Sequence, residues 1–227
     1  MGFFSLIRNY GFSFEAILAY LASVAVVIFL TMPIHEFAHA FTAVKLGDPT
    51  PKRMGRVSIN PFAHLDLIGT VLIVLFGFGW AKPVEVDMRY FKNPKRDMAI
   101  TAAAGPVSNI LMGLIFYIPV KLLSGHVIAN GELYLNDFAS YAFIFCYYVV
   151  LINVSLAVFN LIPIPPLDGS RLLSALLSDR AYYNLMRYER YFNIAIIVLL
   201  FSSVLDVPME FISNTILKFY DLLTFWI

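Results

Sequence analysis

The residues with the clearest chemical potential are His35, Glu36 and His39, which form a His-Glu-x-x-His pattern inside an apolar part of the chain. Residues four apart lie one above the other on a helix, so two imidazoles at this spacing can bind one metal ion. Glu36 lies beside them around the helix, close enough to take a proton from water that the metal activates. The alternative interpretation is two packed histidines beside an unrelated glutamate. It leaves unexplained three ionisable groups at membrane depth, where such groups are costly and usually functional.

The composition predicts a membrane setting for these residues. The chain has 227 residues, of which 60% are hydrophobic and 14% are charged, as is typical of a helical protein with several membrane spans. Its length fits a single membrane domain over residues 1–227, with a catalytic core at 14–178 and C-terminal helices at 190–227. The net charge of +1, without a dense basic run, gives no indication of nucleic-acid binding.

The apolar segments predict an all-α polytopic fold, a bundle of about five transmembrane helices. They cover residues 14–46, 98–123, 137–161, 191–205 and 211–227. A further apolar run at 67–80 has only about fourteen residues and contains glycines, so we expect a re-entrant or interfacial segment there. Pro33 interrupts the first segment and is expected to loosen or bend the helix just ahead of His35.

The distribution of cations predicts the orientation of the bundle. Thirteen of the sixteen Lys and Arg residues lie in the three loops 45–66, 82–97 and 168–190. Because cytoplasmic loops carry an excess of Lys and Arg, we expect all three in the cytoplasm and the N-terminus outside. The chain is then an integral protein of the cell membrane, with its active site towards the cytoplasmic side.

The third metal ligand has to come from elsewhere in the chain, because a catalytic zinc usually takes three protein ligands and keeps one position open. The possible donors include His64, Asp66, His126, Cys146 and later carboxylates. Asp168 follows a proline-rich break, and irregular backbone at membrane depth is buried by protein or lines a watery cavity. Asp168 therefore has a route to the metal, and His64, on the same side, remains the alternative. Taken alone, Asp-Gly is a turn signal, and His126 falls on the opposite side.

Two motifs together resemble the site-2 protease family of intramembrane zinc metalloproteases. The first is the His-Glu-x-x-His pattern, and the second is residues 160–169, Asn-Leu-Ile-Pro-Ile-Pro-Pro-Leu-Asp-Gly, which are similar to that family's Asn…Pro…Asp-Gly motif. The resemblance extends to Ala104-Gly105-Pro106 with Asn109 and to Asn60-Pro61 with His64 and Asp66, and it covers roughly residues 30–175.

The resemblance implies a role for each site residue. His35, His39 and Asp168 would hold one Zn²⁺ ion, Glu36 would be the general base, and Asn160 would engage the substrate. The implied reaction is hydrolysis of a peptide bond in or near a transmembrane helix of a membrane-protein substrate. No loop exceeds about 25 residues, so the chain resembles the compact form without an inserted PDZ domain or an appended CBS pair.

Two other classes compete with this interpretation. A non-catalytic zinc-binding membrane protein, such as a transporter or scaffold, gives Glu36 no role, and transport needs ligands along a path. A membrane peptidase whose third ligand is a glutamate usually carries Glu-x-x-x-Asp or Glu-x-x-x-His. Neither pattern follows the motif, since Glu132 is followed at that spacing by Asn136 and Glu189 by Asn193. The sequence identifies neither the substrate nor the oligomeric state.

Overall fold

The structure is a computed structural model that describes residues 14–76, 80–129, 132–133, 138–188, 191–192, 196, 199, 202 and 204–227. The described chain is helical apart from a two-stranded antiparallel ladder. The α-helices are α1 Phe14–Val26, α2 Met32–Leu46, α3 Thr50–Arg53, α4 Leu67–Phe76, α5 Pro94–Val127, α6 Phe138–Asn160, α7 Asp168–Leu172, α8 Asp179–Arg187 and α9 Asp206–Leu223. Short 3₁₀ turns cover Pro61–Ala63, Met88–Tyr90 and Leu173–Ala175, and the ladder joins β1 Ile128–Ala129 to β2 Glu132–Leu133.

A π-helical turn, Val27–Thr31, connects α1 to α2. Pro33 lies in the first turn of α2, where its missing N–H and its ring disrupt the preceding helical hydrogen bonds. The Met32 N–H instead donates to the Val27 carbonyl, five residues back, and the Thr31 hydroxyl donates to the same carbonyl. The irregularity that the sequence predicted ahead of His35 is therefore present as a single π turn.

Three of the described helical stretches are long and apolar enough to cross a bilayer. They are Phe14–Leu46 with 33 residues, Pro94–Gly125 with 32 and Phe138–Asn160 with 23. These stretches confirm the all-α polytopic membrane fold. The fourth predicted span, 191–205, lies largely outside the described residues.

The two remaining predicted segments form shorter or more polar helices. The run at 67–80 contains α4, whose ten residues cover about 15 Å, half of a bilayer core. The last segment forms α9, which begins at Asp206 rather than at Phe211. Pro208 lies in its first turn, where a proline is tolerated, so the helix includes residues that the sequence analysis left between two segments.

The core lies where α1, α5 and α6 pack together, and α6 is the most buried of the spanning helices. Helix α9 docks on the outer part of α5 through Tyr220, which is fully buried. The Tyr220 hydroxyl donates to the Ile110 carbonyl at 2.6 Å, and the absence of a side chain at Gly113 leaves the space for its ring. Helix α2 packs against the other end of α5, and this contact carries the functional site.

Candidate metal centre

Three polar side chains from distant parts of the chain converge inside the bundle. The His39 Nε2 atom lies 3.1 Å from Nε2 of His35, and Oδ2 of Asp168 lies 3.2 Å from the first nitrogen and 3.3 Å from the second. The two histidines are 8% and 7% exposed. The structure thus brings together the three residues that the sequence analysis singled out as metal ligands.

The dimensions of this triangle fit a zinc ion. Ligand atoms about 2.0–2.1 Å from a tetrahedral zinc lie about 3.3–3.4 Å from one another. The observed separations of 3.1, 3.2 and 3.3 Å match one face of such a tetrahedron. Two imidazole nitrogens and one carboxylate oxygen also form a donor set that suits zinc.

The position of His39 is set by the backbone of α5. Its Nδ1 atom lies 2.8 Å from the carbonyl oxygen of Thr101. Because a carbonyl oxygen only accepts, Nδ1 carries a hydrogen, and Nε2 is the nitrogen that can bind a metal. This contact fixes both the tautomer and the ring orientation that metal binding requires.

Gly105 allows α5 to approach α2 at the level of the two imidazoles. A Cβ atom built at this position would lie 2.6 Å from Cε1 of His35 and of His39, and closer still to Nε2 of His39. Such distances are far below ordinary packing contacts, so any side chain would displace the rings or separate the helices.

Asp168 reaches the histidines because the chain breaks and folds back after α6. The helix ends at Asn160, and Asp168 begins α7 after the extended residue Leu167. A Cβ at Gly169 would overlap the carbonyl oxygens of Leu161 and Ile162, so this glycine permits the tight return. Burial by itself would raise the pKa of the Asp168 carboxyl, but the two facing imidazoles, when they are protonated, outweigh it and hold that pKa well below its usual range.

Glu36 faces an extended stretch of the loop before α5. Its Oε2 atom accepts a hydrogen bond of 3.2 Å from the Val84 N–H, and the glutamate is 7% exposed. The stretch is held on either side, because the Lys82 N–H donates to the His64 carbonyl and the Asp87 N–H donates to Asp48. The carboxylate orientation therefore depends on a long-range backbone contact.

A cavity of about 50 Å³ lies between the glutamate and the metal ligands. Its lining includes Glu36, His39, Asp168 and Arg171. Since a single water needs at least roughly 10–15 Å³ of such space, the cavity has room for a hydrolytic water beside both groups.

The other proposed donors have different environments. His64 is 1% exposed, and its Nε2 donates to the Ser58 carbonyl at 2.8 Å. Asp66 accepts the Gly69 N–H and caps the start of α4. Cys146 is buried in the apolar core, and the side chain of His126 lies outside the described part of the chain.

Asn160, the predicted substrate-binding residue, is the last residue of α6 and is half-buried. It lies just before the break that leads to Asp168. Asn160 is not among the described residues that line the cavity, so the structure shows its position in the chain but no contact with the metal centre.

Sequence reasoning assigned no role to Thr101, Val84 or Arg171. The first two act through backbone groups, which every residue type carries, so the residue type gives no signal. Arg171 stands three residues after Asp168, and this spacing places two helical side chains on one face. That spacing was the only sequence signal that Arg171 lines the same cavity as Asp168.

Most of the chain matches a known protein family. The family model described as peptidase family M50 matches residues 23–205, which include both motifs and all three converging side chains. The chain belongs to peptidase family M50. This assignment confirms the resemblance to site-2 proteases that the two motifs indicated.

Several curated proteins are similar to this M50 chain. A Bacillus subtilis protein named "Putative zinc metalloprotease YwhC" is 37% identical over 174 residues, which cover 77% of this chain and 78% of the relative. The Mycolicibacterium smegmatis protein "Putative zinc metalloprotease Rip2" is 25% identical over 78% of this chain and 66% of its own length. "Zinc metalloprotease MJ0392" of Methanocaldococcus jannaschii is 25% identical over 70% of this chain but only 35% of itself. No solved structure matches the chain at a significant level.

Proposed function

We propose that this M50 chain is an intramembrane zinc endopeptidase that cuts a membrane-protein substrate in or near a transmembrane helix. The observation that carries the proposal is the convergence of His35, His39 and Asp168 beside Glu36, at the end of a membrane-spanning helical stretch. Relatives named as zinc metalloproteases support the reaction class.

The proposed chemistry uses the residues around the cavity. One zinc ion held by the two histidines and Asp168 would supply a Lewis acid that makes water nucleophilic near neutral pH and polarises a carbonyl. Glu36 accepts a proton from the water that attacks the scissile carbonyl, and it then passes this proton to the leaving amine. The Val84 N–H holds the Glu36 carboxylate by the cavity, and burial around it excludes bulk water.

The substrate has to present an unwound peptide bond to this cavity. An intact transmembrane helix satisfies its own backbone hydrogen bonds, so its peptide groups are not available for attack. We therefore expect Gly, Pro or polar residues near the cut. Asn160 is proposed to hydrogen-bond the unwound segment or the developing oxyanion, since its carboxamide stands just before the loop that delivers Asp168.

The site is proposed to open towards the cytoplasm, in the cell membrane. The loops with most of the cations would lie on that side, and Asp168 belongs to one of them. Cleavage should consequently map to the cytoplasmic part of a substrate helix. Cut sites in the extracytoplasmic third of that helix would contradict this orientation.

The decisive test is Glu36→Gln, co-expressed with candidate membrane-tethered substrates and then purified for metal analysis. The amide cannot act as a base, so we expect cleavage to fall by about 10²–10⁴-fold while zinc per chain remains as in the wild type. Zinc content is measured by plasma mass spectrometry on the detergent-solubilised chain.

Glu85→Gln is the matched control, because Glu85 is exposed on the loop that carries Val84. It should leave both cleavage and zinc content unchanged. Undiminished activity of the Glu36→Gln variant would favour the alternative, a zinc-binding membrane protein that is not an enzyme, such as a transporter or scaffold.

A further inference from the structure

The two histidines of the metal centre differ in how their outer ring nitrogens are held. Nδ1 of His39 has the Thr101 carbonyl, whereas Nδ1 of His35 is buried and has no hydrogen-bond partner among the described residues. Nε2 of His35 faces the other ligand atoms, so binding a metal there leaves the ring hydrogen on Nδ1. A buried donor of this kind needs an acceptor.

Asn109 provides an unpaired acceptor on the neighbouring helix. It is 2% exposed, and its Oδ1 atom is buried without a partner in the described part of the chain. Asn109 stands four residues after Gly105 on α5, and side chains at this spacing have Cβ atoms about 5–6 Å apart on one helix face. Its carboxamide therefore lies on the face of α5 that meets the imidazoles.

The relative direction of the helices places Asn109 on the His35 side. Thr101 contacts His39, while the Cβ direction of Gly105 points at the edges of both rings and reaches Cε1 of His35. Moving up α5 from residue 101 thus corresponds to moving back along α2 from 39 to 35. The unpaired Nδ1 atom of His35 is bonded to that same Cε1. It therefore lies near the helical turn of α5 that runs from Gly105 to Asn109.

We propose that Asn109 is a positioning residue for the metal centre: its carboxamide oxygen accepts the His35 Nδ1 hydrogen through one bridging water. This inference rests on the proposed metal site. It gives His35 the same kind of support that Thr101 gives His39, so each ligand imidazole has its orientation fixed by α5. Hydrogen bonds of this type orient a ligand ring and raise its basicity, and losing one typically weakens metal binding by about 10–100-fold.

A second buried asparagine offers a matched control. Asn153 on α6 is fully buried, and its Oδ1 also has no partner among the described residues. Its Nδ2 donates to the Val149 carbonyl of its own helix at 2.9 Å, and it stands on α6, not on the helix that supplies the Thr101 and Gly105 contacts. Replacing Asn153 therefore removes a comparable buried amide from a different helix.

The test is zinc affinity, measured by competition with a chromogenic chelator on the solubilised full chain. Asn109→Leu should weaken zinc binding by about 10–100-fold, whereas Asn153→Leu should leave it within threefold of the wild type. Asn109→Asp, with a carboxylate acceptor of the same length, should bind zinc more tightly than the wild type. The visible spectrum of the cobalt-loaded chain should change for Asn109→Leu and not for Asn153→Leu.

The outcomes separate this inference from the proposed function. Equal zinc affinities for the wild type and Asn109→Leu, or equal losses in the two leucine variants, would overturn the role of Asn109. If Asn109→Leu does not fold, Asn109→Asp decides, and unchanged or weaker zinc binding would overturn the proposal. A wild-type chain that binds no zinc would instead contradict the metal centre itself.

Discussion

Two buried polar regions of the molecule contain the same residue types but differ in what those residues face. The metal centre consists of His35, His39 and Asp168, and its imidazole nitrogens and carboxylate oxygen point at one another. The second region, here called the loop cluster, consists of Asp48 and His64 at the ends of the connecting loops. Both of its residues are at most 1% exposed.

The side chains of the loop cluster are paired with the backbone. Asp48 accepts the N–H groups of Thr50 and Asp87, each at 2.8 Å, and His64 donates to the Ser58 carbonyl. These contacts supply each carboxylate oxygen with a donor and the Nε2 atom of the histidine with an acceptor, whereas its Nδ1 atom has no hydrogen-bond partner among the described residues. In the metal centre, two imidazole nitrogens and a carboxylate oxygen, all three of them possible metal ligands, instead lie 3.1–3.3 Å from one another. Burial of His and Asp therefore does not distinguish a candidate metal site, whereas the convergence of their possible ligand atoms does.

The largest expected effect comes from removing one buried histidine from each region. His39→Ala should strip zinc from the chain and reduce proteolysis to background, because two ligands no longer hold the metal. His64→Ala should retain zinc and lose only thermal stability, since its partner is a backbone carbonyl. Zinc per chain and melting temperature distinguish the two variants. A His64→Ala variant that folds but binds no zinc would contradict the proposed difference between the two regions.

A smaller effect is expected when the approach of α5 to the metal centre is blocked. Gly105→Ala places a methyl group against both imidazoles, and overpacking of this kind costs about 1–3 kcal/mol. We expect lower zinc affinity together with lower thermal stability. Gly125→Ala is the control. Gly125 lies on the same helix, and a Cβ atom built there would meet no other atom within 4 Å. Wild-type zinc affinity in Gly105→Ala would show that the rings tolerate displacement.

The smallest effect on the metal centre is expected from the loop cluster's carboxylate. Asp48→Ala leaves two part-buried N–H groups without their acceptor, and a fully buried group that loses its partner costs about 1–3 kcal/mol of unfolding free energy, so we expect a loss at the low end of this range for each. Chemical denaturation should detect the change, while zinc per chain stays at the wild-type value. Zinc loss from an otherwise folded Asp48→Ala chain would mean that the loop cluster supports the site as well.

Much of the site could be predicted from local pattern. The four-residue spacing of His35 and His39 places both side chains on one face of a helix, and the apolar segments predicted that this helix lies in a membrane. Local pattern alone does not assign Asp168, because Asp-Gly is also a turn signal and His64 is predicted on the same side. The family motif favoured Asp168, and the fold-back of the chain over Gly169 then brings it to the histidines.

The sequence by itself determined the membrane class, the irregular turn ahead of the motif and the pairing of two imidazoles with a glutamate, because each depends on residues close together in the chain. Only the tertiary structure decided that Thr101 fixes the tautomer of His39, that the Val84 N–H holds Glu36, and that the imidazoles of α2 are what α5 meets at Gly105. The first two contacts use backbone groups that every residue carries, and the third depends on the distance between two helices. Packing alone specifies which of these groups come together.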